Sequence, residues 1–205
     1  IAMTDHYFSS RHSADFVMHH FSFDFKGRHF NWVGSRGVFA SKDLDKGSQL
    51  LLHCFFKEDL GQSKLRVLDL GCGTGVIGVL VALFIEDISV TCSDLSTAAT
   101  LCTAENVEVQ NVTHKVDVVN GQGAAHFRSA SFSHVLLNPP IRAGNEVVFQ
   151  LIEGACRVLQ SNGQLFMVVR VKQGGKRLAE LSKQWFASVE QIGRKKGFLV
   201  YKLAK

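Results

Sequence analysis

Short apolar runs alternate with longer amphipathic segments along most of the chain, from residue 65 onward. Continuous apolar runs of about four to eight residues are typical of parallel strands, because both faces of such strands are covered. Five such runs occur, at 65–70, 89–93, 115–119, 134–137 and 164–171. Helical spacing of apolar positions follows them at 74–85, 96–106, 146–159 and 178–186. This alternation predicts a doubly wound α/β fold, with a mostly parallel sheet that binds ligands at the carboxyl ends of its strands.

The last segment of the chain differs in both predicted structure and charge. Residues 188–192 and 198–203 predict an antiparallel hairpin around the turn 194–197, which brings the sheet to seven strands. Residues 170–205 contain ten Lys or Arg and two Glu, a charge of +8 in a chain of net charge +5. A basic segment on a near-neutral body is either a solvated surface or a contact surface for a polyanion such as RNA.

The start of the chain does not follow the strand–helix alternation. Residues 21–25 and 29–33 predict a small hairpin, and residues 48–56 predict a helix. We therefore expect residues 1–60 to form an N-terminal extension that packs on the core and caps its ligand site. Residues 61–205 then form the main domain.

Length and composition fit one globular domain without a metal or a membrane anchor. The chain has 205 residues, of which 46% are hydrophobic and 20% charged. Its five cysteines are odd in number and form no C-x-x-C pair, which predicts neither a disulfide framework nor structural zinc and fits a reducing cytoplasm. No signal peptide is visible at the start, and the most apolar stretch, 76–85, is too short to span a bilayer.

The strongest local pattern is V-L-D-L-G-C-G-T-G over residues 67–75, where a predicted strand runs into alternating glycines and then a helix. Glycine permits the sharp turn and allows a ligand to lie against the backbone. Asp94 ends the next strand, 25 residues after Asp69, where a carboxylate can accept hydrogen bonds from ribose hydroxyls. A dinucleotide site needs a third glycine where Val76 stands, so a nicotinamide oxidoreductase is disfavoured.

A second pattern, Asn138-Pro139-Pro140-Ile141, follows the fourth predicted strand at the same edge of the sheet. An exocyclic amino group on a base is a poor nucleophile, because its lone pair is delocalised into the ring. Two acceptors, the Asn138 side-chain oxygen and the Pro139 carbonyl, can hold its hydrogens and direct the lone pair at an activated methyl group. The prolines restrict the loop and so preorganise these acceptors. The alternative is a tight turn that merely contains two prolines.

Together the two patterns resemble the class I S-adenosylmethionine-dependent methyltransferases, and N-P-P is similar to the signature of their amino-group methyltransferases. The resemblance implies that Asp69 orients the amino-acid end of the cofactor and that Asp94 binds its ribose. Further cofactor contacts are implied for Gly71, Cys72, Gly73, Gly75, Leu95, Gln122 and Asn138. Gln122 stands where relatives often carry an acidic residue that binds adenine, and its amide oxygen can accept the same hydrogen bond. Asp117 is expected inside the strand instead.

Longer stretches narrow the resemblance. Four segments look like parts of bacterial 16S ribosomal RNA guanine-N2 methyltransferases of the small-subunit methyltransferase C type, in particular their short single-domain members. They are G-V-F-A-S-K-D-L-D-K-G-S-Q-L-L (37–51), the opening H-Y-F-S (6–9), N-P-P-I-R-A-G (138–144) and V-R-V-K-Q-G (169–174). This resemblance implies methyl transfer to guanine N2 of 16S ribosomal RNA or the small ribosomal subunit, with the target base flipped out. Adenine N6, a glutamine amide and a non-catalytic RNA-binding role stay open as alternatives.

Five residues are candidates for holding the substrate: Phe39, Ile141, Arg142, Arg170 and Lys172. Many relatives place an aromatic residue after the two prolines, where it stacks on the target. Ile141 cannot stack, so sandwiching of the base is weaker or falls to Phe39. In the family the upstream segment lies beside the cofactor and the target pocket, which implies that Phe39 and Ser41 are near the ligand. The basic residues lie at or after strand ends, where they can contact phosphates or a base edge. The alternatives are that Phe39 is a core residue and that the basic residues are solvated surface charges.

Overall fold

A computed structural model describes residues 17–38, 43–61 and 64–205 of the chain. Its strands are β1 (Met18–Phe25), β2 (Arg28–Ser35), β3 (Leu65–Leu70), β4 (Ile88–Asp94), β5 (Val116–Asn120), β6 (Phe132–Leu137), β7 (Leu159–Arg170), β8 (Ser188–Lys195) and β9 (Phe198–Ala204). Its helices are α1 (Lys46–Phe55), α2 (Val76–Phe84), α3 (Thr97–Val109), α4 (Asn145–Val158) and α5 (Gly175–Ser182). Short 3-10 turns, Ile141–Ala143 and Val171–Gln173, follow the N-P-P loop and β7. No helix in these ranges is long and apolar enough to cross a membrane.

A seven-stranded sheet organises the fold, in the order β5-β4-β3-β6-β7-β9-β8. The strands from β5 to β7 are parallel, and β9 and β8 continue the sheet antiparallel. The doubly wound, mostly parallel sheet with a C-terminal hairpin is thus confirmed. The β1–β2 pair forms a second, small antiparallel sheet. Its turn residues Lys26 and Gly27 have φ of 48° and 74°, as a two-residue hairpin turn of type I′ requires.

Both faces of the seven-stranded sheet are covered by apolar side chains. One hydrophobic cluster unites the sheet with α1, α2 and the β1–β2 hairpin, including the fully buried Trp32 and Phe55. The other unites the opposite face with α4 and α5, around the buried Ile152. Neighbouring strand residues alternate between the clusters, Val67 in the first and Leu68 in the second, as the pleat requires. The hairpin and α1 therefore share a core with the sheet.

The predicted β-strands and helices are confirmed, and some of their ends shift for local reasons. The helix predicted at 48–56 begins at Lys46, because the Asp45 carboxylate caps it and accepts from the N–H groups of Gly47 and Ser48. The helix predicted at 178–186 instead ends at Ser182. The next residues continue as turns, in which Trp185 and Phe186 both donate to the Ser182 carbonyl, and a backbone hydrogen bond from Ala187 to Ala204 of β9 then leads into β8.

Two predicted turns differ from the structure. The turn expected at 162–163 lies inside β7, where Asn162 has a φ of 63°. On β6, Phe132 pairs with Leu159 and His134 with Gln164, so the extra residues of β7 form a bulge rather than a chain reversal. The final hairpin reverses at residues 196–197 alone, because β8 extends to residue 195.

Candidate active site

The carboxyl ends of neighbouring parallel strands bring the two sequence patterns to one edge of the sheet. The last residue of β3, Leu70, pairs with Ser93 of β4 and with the last residue of β6. Adjacent strands lie about 4.8 Å apart. The following residue Gly71 therefore lies between Asp94 and Asn138, each roughly one strand spacing away. The glycine turn and the N-P-P loop are neighbours.

The glycine turn leaves β3 in a backbone conformation that other residues rarely adopt. Gly71, Gly73 and Gly75 have φ of 74°, 60° and 77°. A Cβ on Gly75 would lie 2.6 Å from Cγ2 of Thr103, whereas no atom of the described residues lies within 4 Å of a Cβ built on Gly71. The turn thus has one side packed against α3 and one open side, where a ligand can lie against the backbone.

Side chains from remote segments hold the packed side of the glycine turn. The Thr103 hydroxyl donates to the Gly73 carbonyl at 2.9 Å. Trp32 Nε1 and Asn106 Nδ2 both donate to the Thr74 carbonyl, at 3.1 and 2.9 Å. Asn106 also bonds a backbone N–H and a C=O of β2, at 2.7 and 2.9 Å. The β1–β2 hairpin and α3 therefore fix the turn from behind.

Asp94 supports the turn from the end of β4. Its Oδ2 accepts from the Gly73 N–H at 2.9 Å, and its Oδ1 accepts from the Ser96 N–H at 2.8 Å. Each carboxylate oxygen keeps a further lone pair, and the side chain is half-buried, so it can still accept from hydroxyl groups. The next residue, Leu95, is 68% exposed and offers an apolar surface for a flat ring.

Two amide side chains stand near the expected adenine position. Gln122 is exposed in the loop after β5. Asn120 is the last residue of β5, and its Nδ2 donates to the carbonyls of Asp94 and Leu95, both at 3.2 Å. Because the amide nitrogen faces β4, the amide oxygen of Asn120 is directed away from those carbonyls. Asp117 lies inside β5, as expected.

Asp69 lies beneath the glycine turn with no exposed surface. Its Oδ2 accepts from the N–H of Gly78 in α2 at 2.8 Å. Burial raises the pKa of Asp69 to about 7; the Gly78 bond opposes this shift, and the Asp94 carboxylate adds to it. The resemblance implies that Asp69 orients the amino-acid end of the cofactor. In this structure Asp69 holds the backbone of α2 through Gly78, and its role toward the cofactor stays a prediction.

Cys72 contributes to the turn through its backbone. Its N–H donates to the Ser93 carbonyl at 3.0 Å, and its buried Sγ lies 3.5 Å from the hydroxyl of Thr103. A hydrogen bond with Cys72, together with burial, raises the pKa of Cys92 well above the usual value of a thiol. The Cys92 thiol therefore stays protonated and packs as an apolar group.

The N-P-P loop presents two oxygens at this edge. Asn138 Nδ2 donates to Oγ of Ser48 at 3.0 Å, and in the part of the chain that the structure describes no donor reaches its Oδ1. Pro140 has φ −75° and ψ 75°, and the Pro139 carbonyl accepts from the Ile141 N–H at 2.9 Å. This inverse γ-turn uses one lone pair of the Pro139 oxygen and leaves the other.

The residue after the prolines is half-buried. Ile141 packs against the cluster formed by α4 and α5, so its side chain supports the loop from below. The backbone of Arg142 lies in the 3-10 turn that follows. Phe39 and Ser41 lie outside the described residues, so the stacking expected of Phe39 stays a prediction.

Two basic candidates lie at the carboxyl end of β7, at the same edge of the sheet. Arg170 is exposed, and its guanidinium carbon lies 4.4 Å from the centre of the Phe198 ring. This stacking restricts the side chain while its N–H groups stay accessible. Lys172 is exposed in the 3-10 turn Val171–Gln173.

Sequence reasoning missed four side chains that shape the site: Trp32, Ser48, Asn106 and Asn120. Each acts on a partner at least 25 residues away, so local patterns do not reveal the pairing. For Ser48 the available signal is Asp45, three residues earlier, which marks the start of a helix. For Asn120 it is the position at the end of a strand.

The comparisons with known proteins agree with these features. A family model described as Methyltransferase small domain matches residues 29–202. The chain is 31% identical over 204 residues to the uncharacterized protein YbxB of Bacillus subtilis, covering 99% of this chain and 100% of that protein. It is 33% identical over 169 residues to the ribosomal RNA small subunit methyltransferase C of Pseudoalteromonas atlantica, covering 80% of this chain and 46% of that protein. The chain thus spans about half the length of that second relative.

A solved structure resembles the fold. The 16S rRNA N2 methyltransferase RsmC of T. thermophilus, in complex with AdoMet and guanosine, has a TM-score of 0.80 and 22% identity to this chain, covering 92% of this chain and 50% of that one. At this identity the likeness shows the fold. The family match over most of the chain and the similarity to the ribosomal RNA small subunit methyltransferase C confirm the resemblance drawn from the motifs. The chain belongs to the methyltransferase small domain family.

Proposed function

We propose that the chain transfers the methyl group of S-adenosylmethionine to an exocyclic amino group, and that its target is guanine N2 in 16S ribosomal RNA. The observation that carries the proposal is the Asn138 amide, held by Ser48 beside the open side of the glycine turn. The names of the relatives support a ribosomal RNA substrate, and that of the T. thermophilus enzyme supports N2 of guanine.

The edge residues fit the three parts of S-adenosylmethionine. The open backbone at Gly71 suits the methionine part, the Asp94 carboxylate suits the ribose hydroxyls, and Leu95 with a nearby amide suits adenine. The residues proposed to hold the cofactor are Asp69, Gly71, Cys72, Gly73, Gly75, Asp94, Leu95, Gln122 and Asn138, to which the structure adds Asn120. When bound, the cofactor supplies a methyl group already activated by its positively charged sulfur.

The chain's own chemistry is then alignment. Asn138 Oδ1 and the Pro139 carbonyl accept the two hydrogens of the target amino group, which directs the nitrogen lone pair out of the ring plane. Pro140 stiffens the loop that carries them. The nitrogen forms a bond to the methyl carbon as the carbon–sulfur bond breaks, and it then releases one proton to solvent. Such a transfer depends on position more than on a strong base.

The remaining candidates act on the RNA. We propose that Arg170, stacked on Phe198, and Lys172 contact phosphate or a base edge next to the target. Arg142 follows the N-P-P loop directly and joins them in this role, while Ile141 borders the target and Phe39 stacks on it. We propose that residues 1–60 are an extension of the domain formed by residues 61–205, and within the extension Trp32 braces the glycine turn.

The proposal is tested by incubating the protein with methyl-labelled cofactor and small ribosomal subunits, then digesting the RNA to nucleosides. Label in N2-methylguanosine is expected. Label in N6-methyladenosine moves the target to adenine, and label in a protein glutamine moves it to an amide. Retained binding of cofactor and RNA without any transfer contradicts catalysis and favours a non-catalytic RNA-binding factor.

The variant Asn138→Ala tests the role of the loop. We expect transfer to fall by about 100-fold or more, with a much smaller loss of cofactor affinity, because the other residues proposed to hold the cofactor are unchanged. Asn145→Ala is the matched control, because Asn145 is an exposed amide shortly after the same loop. An unchanged rate for Asn138→Ala contradicts the proposed alignment.

A further inference from the structure

A basic groove lies on the α1 side of the sheet. It has a volume of about 860 Å³ and lies between the exposed face of α1, the turn of the β1–β2 hairpin and the end of β8. Six cationic side chains line it: Lys26, Lys46, Lys57, Arg194, Lys195 and Lys196. They come from three segments far apart in the sequence, so the fold brings together positive charges of which only those at 194–196 are adjacent in the sequence.

The acidic residues of the groove do not neutralise it. The carboxylates among its lining residues belong to Asp24 and Glu58. Asp24 is hydrogen-bonded to His29 at 2.9 Å, and Glu58 forms a 2.7 Å salt bridge with Lys202. Salt bridges between described residues involve none of the six lining cations. The groove therefore presents a positive surface to solvent.

One end of the groove lies at the edge of the sheet that carries the candidate active site. Lys195 pairs with Phe198, and Phe198 pairs in turn with Arg170 at the carboxyl end of β7. Lys46 lies two residues before the serine that holds Asn138. A strand that enters the groove at this end is therefore close to the N-P-P loop.

We propose that this groove binds the phosphodiester backbone of the RNA strand that carries the target base, an inference that rests on the proposed function. The groove follows the whole of α1, about 15 Å, and continues to Lys57 just beyond the end of the helix, which is long enough for several consecutive phosphates. Lysine ammonium groups neutralise phosphates without reading base edges. Binding in the groove is therefore independent of sequence, and the choice of base is made at Asn138.

The test compares two double variants that lose the same charge. Lys57→Gln with Lys195→Gln removes one exposed cation from each wall of the groove. Lys64→Gln with Arg128→Gln is the matched control, because both residues are exposed and precede β3 and β6, at the opposite edge of the sheet. The probes are a fluorescein-labelled 16S ribosomal RNA transcript and a transcript of the same length with a shuffled sequence.

We expect the groove variant to bind both transcripts about tenfold more weakly, with a plot of log affinity against log salt less steep by about 1.4 to 2. The control variant keeps the wild-type affinity and slope, and all three proteins bind S-adenosylmethionine equally. Unchanged affinity and slope in the groove variant, or an equal loss in the control, overturns the proposal. If the double variant does not fold, Lys195→Gln alone is expected to lower the slope by half as much.

The outcomes separate this proposal from the proposed function. If the wild-type protein methylates no RNA, while the groove variant binds RNA more weakly and with less salt dependence than the wild type, the proposed function is contradicted and the groove is supported. A wild-type protein that methylates guanine, while the groove variant binds and methylates RNA as well as the control does, overturns the groove alone.

Discussion

The hydrogen bond between Ser48 and Asn138 offers a direct test of how the site works. Ser48 is 2% exposed, and its Oγ is the acceptor for Asn138 Nδ2 at 3.0 Å. The terminal torsion of an asparagine is broad and roughly two-fold, so without this partner the amide can rotate. In the Ser48→Ala protein, the Asn138 side chain therefore turns its NH₂ group, rather than its acceptor oxygen, toward the target amino group for part of the time.

The size of the effect follows from the single bond that is lost. A neutral intramolecular hydrogen bond contributes about 1 kcal/mol. If that amount is what holds the amide in its productive orientation, that orientation falls from about five-sixths of the molecules to about half, and the rate of methyl transfer falls about twofold. Cofactor affinity stays near the wild-type value, because Ser48 contacts neither Gly71 nor Asp94 in the described structure.

The assay is the single-turnover rate of methyl transfer to RNA, with cofactor affinity measured in parallel by calorimetry. Ser48→Thr keeps the hydroxyl group and is expected to retain most of the wild-type rate. Ser182→Ala is the matched control: Ser182 is fully buried in α5, on the opposite face of the sheet, and bonds the Leu178 carbonyl at 2.8 Å. Its loss lowers the melting temperature without changing the rate.

Two results would refute this reasoning. A Ser48→Ala protein that melts at a lower temperature but transfers methyl groups at the wild-type rate shows that Ser48 only supports the fold. Equal rate losses in the Ser48→Ala and Ser182→Ala proteins show that general loosening of the core, rather than the orientation of Asn138, sets the rate.

Three further predictions concern the glycine turn and the buried titratable groups. Gly71→Ala places a methyl group where no described atom lies within 4 Å, so it is expected to weaken cofactor binding at least about tenfold, with a loss of stability of about 1–2 kcal/mol because of the positive φ. Gly75→Ala also meets Thr103 at 2.6 Å and is expected to cost about 1–3 kcal/mol more; calorimetry measures the cofactor affinity, and thermal melts measure the stability. Burial raises the pKa of Asp69 from 3.8 to about 7, so the unfolded chain loses this proton first as pH rises, and the free energy of unfolding falls between these two pH values. Asp69→Asn is expected to remove this loss, which is roughly 4 kcal/mol at most. Urea titrations at pH 4 and 8 test it, and the same pH dependence in the wild type and the variant contradicts it. Burial lowers the pKa of His134 from 6.5 to about 4, so the unfolded chain takes up this proton first as pH falls and stability is lost over that window, by roughly 3 kcal/mol; His134→Phe is expected to abolish this acid sensitivity in the same titrations.

The order of strands and helices was predictable because it depends on local patterns. Continuous apolar runs can be buried only as central strands, and the run at Leu65–Leu70 matches the strand at both ends. The glycine turn and the N-P-P loop were also visible, since each needs particular residue types at fixed spacing. Register then follows from strand order, which places Gly71 beside Asn138.

The contacts that set the geometry of the site were not predictable in this way. Ser48 and Asn138 are 90 residues apart, and Trp32 reaches the glycine turn across 42 residues. Nothing in the neighbourhood of Asn106 distinguishes it from an ordinary polar position on a helix. The basic groove has the same origin, because Lys26 and Lys195 meet only when the hairpin and β8 flank α1.

These long-range contacts divide the two tasks of the site between two N-terminal elements. The β1–β2 hairpin acts on the glycine turn directly through Trp32, which donates to the Thr74 carbonyl. It also acts through Asn106 of α3, which bonds both β2 and the same carbonyl. Helix α1 acts on the N-P-P loop, through Ser48 on Asn138. A change that displaces the hairpin should therefore weaken cofactor binding, whereas a change confined to the start of α1 should slow transfer with the cofactor still bound. Because both elements pack into the same hydrophobic cluster as the sheet, folding of the core sets both geometries at once.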